Sequence, residues 1–471
     1  MKSPRFAQSA LRFILLVAGL IHATQPATAA TPSRPNVLLI LSDDQRPDTI
    51  SALGNPAIRT PTLDRLVARG TVLSGMNCAY PVCIPSRAEM LTGRTFMQAA
   101  KRDAAPPPTL PESLRRAGYR TWLVGKWHAT GLPRDHGFDD TRGMLNVAVK
   151  GPVPPLERDH RGNPITGYRG ANFQDSDGNA IPGEPVGLTP DISAKFATAA
   201  IKLIQRKPAA PFFLQLNFTA PHDPRFRPPG FERAYPAKDI PLPKNFAPTQ
   251  SIDLQTRDER LLPKPLDPTL VRDELSIYYA LISDLDAQVG RVLDALKQTG
   301  QLDNTIVIYT SDHGLALGSH GLLGKQNLYD HTLLVPCILA GPGIPRSVVR
   351  PGQAYLRDLS ATILDLCGVA VPAGWSGVTL RPLIAGKVAE VHPFVVGYYL
   401  GESRAVRTPE WKLITFPANG RDQLFHLRAD PHEQTDLATD PKHAPTLADM
   451  HAKLKAWATT HGLPGNELKL E

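Results

Sequence analysis

The chain holds little cysteine: Cys78, Cys83, Cys337 and Cys367 are the only four in 471 residues. Such a count cannot build a disulfide scaffold. It also lacks an apolar run long enough to span a bilayer, and the uncharged stretch from Phe13 to Ile21 falls well short. There is no dense Lys/Arg tract and no basic stripe interleaved with aromatics, so nucleic acid is a poor partner class. No repeat of fixed period occurs, which argues against a solenoid or propeller.

What is present is ordinary globular composition, 20% charged and 42% hydrophobic, long enough for a large core or two domains. The 47 prolines fit many loops and turns. Residues 1–30 read as a secretory signal. Lys2, Arg5 and Arg12 form a basic start, Phe13 to Ile21 an apolar run, and Ala27-Thr28-Ala29 a small-x-small cleavage pattern. The expectation is an exported protein, periplasmic or secreted, with no stable membrane anchor. Removing those three basic residues lowers the formal charge from +8 to +5. That mild excess agrees with an anionic substrate and equally with a solvated surface.

Asn36–Ser42 (NVLLILS) is a continuous apolar run that ends in Asp43-Asp44, the pattern of a strand buried on both faces. Pro61–Gly70 and Leu110–Ala117 read as short helices, and Thr121–Val124 as a strand followed by Lys126 and His128. Residues 141–190 are rich in Gly and Pro and read as surface loops. A helix over Ile192–Gln205 leads to a buried strand, Pro211–Phe218, which ends at Pro221-His222-Asp223-Pro224. Leu275, Tyr278, Ile282, Leu285, Val289, Val292 and Leu296 form one apolar helical stripe. Thr305–Thr310 is then a strand ending at Ser311-Asp312-His313-Gly314.

This alternation predicts an α/β fold: a large domain with a mostly parallel central sheet flanked by helices. In such sheets functional groups collect beyond the carboxyl ends of the strands, and Asp43, Lys126, His222 and Asp312 all sit there. After about residue 385 short strands and a final helix near Pro445–Thr460 predict a smaller C-terminal subdomain with an antiparallel sheet. The expected division is a signal peptide over 1–30, a catalytic domain over 31–385 and the subdomain over 386–471.

Cys83-Ile84-Pro85-Ser86-Arg87 continues through Leu91-Thr92-Gly93. This run resembles the C-x-P-S-R-x-x-x-L-T-G signature of the sulfatase family, within the alkaline-phosphatase superfamily, and matches every fixed position. Gly118-Tyr119-Arg120-Thr121 with Gly125-Lys126-Trp127-His128 resembles a second signature. The blocks at 43–45, 221–224, 311–314 and 424–437 are also similar to sulfatase segments. The resemblance spans essentially the whole chain after residue 30.

The resemblance implies that Cys83 is oxidised to formylglycine by a separate formylglycine-generating enzyme. The aldehyde hydrate carries two hydroxyls: one attacks sulfur, the other later collapses to the aldehyde and expels sulfate. It further implies one divalent cation held by Asp43, Asp44, modified Cys83, Asp312 and His313. Carboxylate oxygens suit Ca²⁺, with Mg²⁺ or Mn²⁺ as alternatives. His313 departs from the Asn of many members, although iduronate-2-sulfatase-like ones have His there. By the same carry-over Lys126 and Lys325 bind sulfuryl oxygens, and Arg87 holds the diol and the ligand carboxylates. Asp312 accepts the diol proton, His128 handles the second proton, and His222 with Lys325 is the acid for the departing alcohol.

Taken singly these residues have bland readings. Asp43-Asp44 is a common turn or cap, Lys126 a solvated lysine, His128 and His222 loop histidines. Lys325 rests only on its distance from Ser311–Gly314. Their joint occurrence in family order outweighs those readings. The segment 221–242 resembles iduronate-2-sulfatase-like enzymes and predicts a sulfated saccharide as substrate. Two alternatives remain: a phosphonate monoester or phosphodiester hydrolase with the same site, and a non-catalytic glycan-binding relative if Cys83 stays a thiol or is bridged to Cys78.

Overall fold

The computed structural model describes Met1 and residues 34–462, apart from 102–104, 148–167, 169 and 255. The signal segment 1–30 lies outside the described residues. The strand Asn36–Ser42, every residue of which is buried, is central in a nine-stranded sheet. It pairs in parallel with Phe212–Asn217 on one side and Thr305–Ser311 on the other. Phe212–Asn217 pairs in parallel with Arg120–Trp127, and that strand with Asp140–Asn146. These five strands end at one edge of the sheet.

Alternation along the central strand explains the two cores. Leu38 and Ile40 face one layer, with Phe196 and Leu203 from the helix Ile192–Ile204 and Leu285, Val289 and Val292 from the helix Pro268–Gln298. Val37, Leu39 and Leu41 face the other, with Met90 from Cys83–Thr92, Leu114 from Leu110–Arg116 and Leu359 and Ile363 from Leu356–Leu366. A strand buried on both faces needs apolar residues at every position, which is what NVLLILS supplies.

The C-terminal part is a four-stranded antiparallel sheet, Val395–Tyr399, Ser403–Arg407, Trp411–Phe416 and Arg421–His426. One face packs on the helix Ala444–His461 through Leu413, Leu424, Met450 and Leu454. The other packs through Ala405, Ile414 and Phe425 onto Leu328, Tyr329 and Leu333 of the main body.

Two sequence expectations need correction. The predicted strand Thr121–Val124 runs from Arg120 to Trp127, so Lys126 lies inside it and only His128 follows. Positions 125–127 are drawn into the sheet by pairing with Asp140–Asn146 across a register shift at Val124/Gly125. The 141–190 loop region contains Asp140–Asn146 and the short antiparallel edge strand Asn172–Gln174. The signature run itself is the first turn and body of a helix, Cys83–Thr92. Pro85 is tolerated there because first-turn N–H groups have no helical acceptor.

Candidate active site

Four parallel strands and one helix deliver the site. Asp43 and Asp44 leave the central strand, and Asp44 turns the chain with a left-handed φ of 68°. Asp312 and His313 leave the neighbouring strand Thr305–Ser311. The backbone N–H groups of Asp44 and His313 both donate to Asp312 Oδ1, at 3.2 and 3.0 Å, tying the two strand ends together. Lys126 comes from Arg120–Trp127, His222 from the turn after Phe212–Asn217, and Lys325 from the loop after His313. Cys83 opens its helix, with Arg87 one turn further on the same face.

These residues meet around the Cys83 sulfur. Its thiol donates to Asp43 Oδ1 at 3.3 Å and lies 3.3 Å from His313 Nε2. Lys325 Nζ approaches Sγ at 3.6 Å. Lys126 Nζ donates to Asp43 Oδ2 at 2.6 Å, and Lys325 Nζ to both oxygens of Asp44 at 2.9 and 3.0 Å. Arg87 Nε donates to Asp312 Oδ2 at 2.9 Å, with Nη2 3.5 Å from Asp43 Oδ1. Its two terminal nitrogens are buried and make no hydrogen bond among the described residues. His222 Nε2 sits 2.8 Å from Lys325 Nζ. All but one of the ten side-chain positions expected from sequence are buried; the exception is His128, half-buried, whose Nδ1 has no partner among the described residues.

The electrostatics follow from three carboxylates facing three basic side chains in a buried pocket. Burial pushes the Cys83 thiol up, but Lys126, Lys325 and His313 outweigh it and hold the group well below the usual thiol range. Burial and Cys83 also push Asp43 up, and Lys126, His222 and Arg87 together pull it below the usual carboxylate range. Asp312 is different. Burial, helped by the charge of Asp43, raises it to about 7 against His313 and Arg87. His313 is raised to about 9, because Asp312, Cys83 and Asp44 outweigh its burial.

Asp43, Asp44, Cys83 and His313 each offer one ligand atom, all within 4.8 Å of one another and all buried. Asp312, held by Arg87 at 2.9 Å, lies beside them. That donor set, mostly hard carboxylate oxygen, fits a divalent cation.

Sequence reasoning gave no role to two residues here. Tyr168 donates its hydroxyl to Asp43 Oδ2, lies edge-on to the His222 ring at 4.8 Å, and has Lys126 Nζ over its own ring at 5.1 Å. It falls in the region read as loop, where no periodicity marks it. Asp223 is buried beside His222 and stood in plain sight within Pro221–Pro224. Cys78, the conceivable bridge partner of Cys83, is a buried free thiol that donates to Tyr80 O at 3.0 Å.

Comparison with known proteins gives a consistent result. The sulfatase family model matches residues 35–369, and a model described as N-sulphoglucosamine sulphohydrolase, C-terminal, matches 318–460. A choline-sulfatase of Rhizobium meliloti is 30% identical, covering 88% of this chain and 84% of its own. An arylsulfatase of Clostridium perfringens is 26% identical over 87% of this chain and 91% of its own. A solved structure of a protein in complex with its substrate D-glucosamine-2-N,6-O-disulfate superposes with a TM-score of 0.75 at 23% identity. It covers 91% of this chain and 98% of that one, a likeness of fold.

Proposed function

Since the chain belongs to the sulfatase family of the alkaline-phosphatase superfamily and is a sulfuric ester hydrolase, we propose that it cleaves sulfate esters of a saccharide, with Cys83 as formylglycine and one bound Ca²⁺. The observation that carries this reading is the position of Cys83 Sγ, 3.3 Å from Asp43 and His313 and 3.6 Å from Lys325. Sγ marks where an oxygen on the same Cβ would lie after oxidation and hydration. The hydrate would supply a hydroxyl nucleophile, and Asp43, Asp44, residue 83, Asp312 and His313 would hold a cation able to lower its pKa.

The chain's own groups do the rest. Lys126 and Lys325 present point charges to the sulfuryl oxygens from either side of the Asp43–Asp44 pair. Arg87 fixes Asp312 and keeps two unspent donors toward the reacting centre. Asp312, fixed by Arg87 at 2.9 Å, accepts the proton of the attacking hydroxyl. His128, near Cys83, handles the second proton when sulfate leaves. His222, held above the usual imidazole range by Asp44 and Asp223 against burial and Lys325, protonates the departing alcohol.

The saccharide class draws support from segment 221–242 and from the disulfated glucosamine that a protein of like fold takes as substrate. The same segment motivates an iduronate-2-sulfatase-like affinity. Residues 1–30 support export, and among the described residues no helix is long and apolar enough to cross a membrane. We place the catalytic domain at 31–385 and the subdomain at 386–471.

The test is free sulfate and free phosphate released from a panel of sulfated saccharides and phosphodiesters. The protein is co-expressed with a formylglycine-generating enzyme, with Cys83→Ala as control. Sulfate from one saccharide, absent in the control, establishes the substrate class. Phosphate release alone would move the reading to the phosphodiester alternative. A Cys83 peptide with the mass of an unmodified thiol, and no turnover, would leave the glycan-binding one.

A further inference from the structure

Lys325 is placed by its backbone before its side chain. After His313 the chain turns back on itself: the N–H groups of Ala316, Leu317 and Gly318 donate to the carbonyl oxygens of Gly324, Leu323 and Leu322 at 3.0, 3.3 and 2.7 Å. The Asn327 side-chain amide adds a bond to the Gly324 oxygen at 3.0 Å. The N–H groups of Leu323 and Gly324, in buried backbone, go instead to a side chain distant in sequence. Both oxygens of Glu259 accept from Leu323 at 3.0 Å, and Oε1 accepts from Gly324 at 2.8 Å. Buried N–H groups without an acceptor are strongly disfavoured, so this carboxylate decides where 323–324 lies. Glu259, from the 3₁₀ turn Arg257–Arg260, is itself buried. Lys264 Nζ holds its Oε2 at 3.0 Å and also donates to the Gly321 carbonyl, gripping the turn from a second point. The approach is close: a Cβ on Gly324 would lie 2.6 Å from that of Asp258. Lys325 follows directly, and its Nζ stands 2.9 Å from Asp44 Oδ1 and 3.6 Å from Cys83 Sγ.

We propose that Glu259 is a positioning residue for the reaction: by accepting the N–H groups of Leu323 and Gly324 it sets where the next residue, Lys325, delivers its ammonium to the sulfuryl group. The inference rests on the reading of Lys325 as a ligand of the sulfuryl oxygens. Glu259 acts through the backbone. A lysine stem is flexible, and a point charge at its tip stabilises a transition state only where its root is fixed. The loop from Gly314 to Lys325 belongs to no strand or helix, so side-chain anchors such as Glu259 and Lys264 do the work that sheet pairing does for Lys126.

The measurement is kcat/KM for nitrophenyl sulfate, per formylglycine-bearing site, with Glu259→Ala, Glu259→Asp and Glu259→Gln each made in three backgrounds: the unaltered chain, Lys325→Ala and Lys126→Ala. In the unaltered chain Glu259→Ala is expected to lose about 10- to 100-fold, the scale of a catalytic group displaced by about 1 Å. Glu259→Gln, whose amide oxygen still accepts from the backbone, should recover most of that loss. Glu259→Asp draws the acceptor back by one methylene while keeping its charge. It guards against a folding defect of the alanine variant and should show the same dependence on background. With Lys325→Ala the Glu259 substitutions should cost nothing further, whereas with Lys126→Ala they should keep their full effect. A general loosening of the fold would cost the same in both backgrounds, and that outcome, or no loss in the unaltered chain, overturns the proposal. Undiminished turnover by Lys325→Ala alone overturns the reading of Lys325 beneath it, and the proposal with it.

Discussion

Arg87 is where a single side chain does two jobs that a lysine cannot. Its Nε holds Asp312 at 2.9 Å while the far end of the fork reaches toward Asp43, and its terminal nitrogens are left without hydrogen bonds in a buried place. Lysine supplies one point charge and no planar fork. Arg87→Lys should therefore fold, because one carboxylate keeps a partner, yet lose about 10²-fold in kcat for want of fixed donors. Thermal melting beside sulfate-release kinetics checks this, and an unchanged kcat would show that Arg87 only neutralises charge. At this scale much of the site was legible in the chain. Cys83, Arg87, Lys126 and Asp312 lie in blocks that resemble sulfatase segments, and it is that resemblance, rather than any one residue, that singles them out. Tyr168 was not, since an aromatic in a polar stretch has no local signal and reaches Asp43 only through tertiary packing. Asp223 was visible but mute, because nothing in the sequence separates a buried carboxylate beside His222 from an ordinary turn residue.

Among the elements, the strand Arg120–Trp127 must bring Lys126 to the sheet edge at a set height. Gly143 is the residue passed over where the register shifts, since Val124 pairs with Arg142 and Gly125 with Met144. Bulges of this kind re-aim side chains next to active sites. Gly125 has a φ of 91°, and a Cβ there would sit 1.9 Å from the carbonyl oxygen of Asn217, the residue it pairs with. Gly125→Ala should destabilise the protein by about 2–4 kcal/mol, and activity should fall further than the folded fraction, since Lys126 and His128 shift together. Denaturant melts paired with kcat on the remaining folded protein separate the two, and proportional losses would mean that the strand merely unfolds. The central strands were readable from sequence because burial on both faces demands unbroken apolar runs. Asp140–Asn146 and Asn172–Gln174 were not: they are the last two strands on one side of the sheet, and Gly143 in the first and the short length of the second erase any alternation. The helix that Cys83 opens drew no reading from the sequence, since Pro85 and Ser86 in its first turn weaken any helical pattern.

For the whole molecule the coupling that matters runs between the catalytic loop and the C-terminal sheet. Asp330 accepts from Arg407 at 2.9 Å and from Lys412 at 2.8 Å, and Lys412 also pairs with Glu433 at 2.7 Å. Beside this buried set His320, on the loop that ends in Lys325, stacks on Tyr329 at 3.9 Å and 12°. Its Nε2 faces the Asn245 amide nitrogen at 3.0 Å, which is the arrangement of a neutral ring accepting a hydrogen bond. Burial, and then the charge of Lys412, lower His320 from 6.5 to about 4. His331, stacked at 5.7 Å, is pushed well below its usual value by burial and by Arg46. A histidine with a depressed folded value binds its proton more readily when unfolded, so its contribution to stability is whole above 6.5 and drains away as pH falls toward 4. From His320 alone the loss on moving from about pH 7.5 to about pH 5 should be on the order of 2 kcal/mol. His320→Gln, which keeps an acceptor for Asn245 but cannot titrate, should flatten that part of the fall. Chemical denaturation of both proteins at the two pH values reads the difference directly. If the two lose stability equally, His320 is protonated without cost in the folded chain, and the acid sensitivity of this interface must come from His331 or from the carboxylates around Lys412.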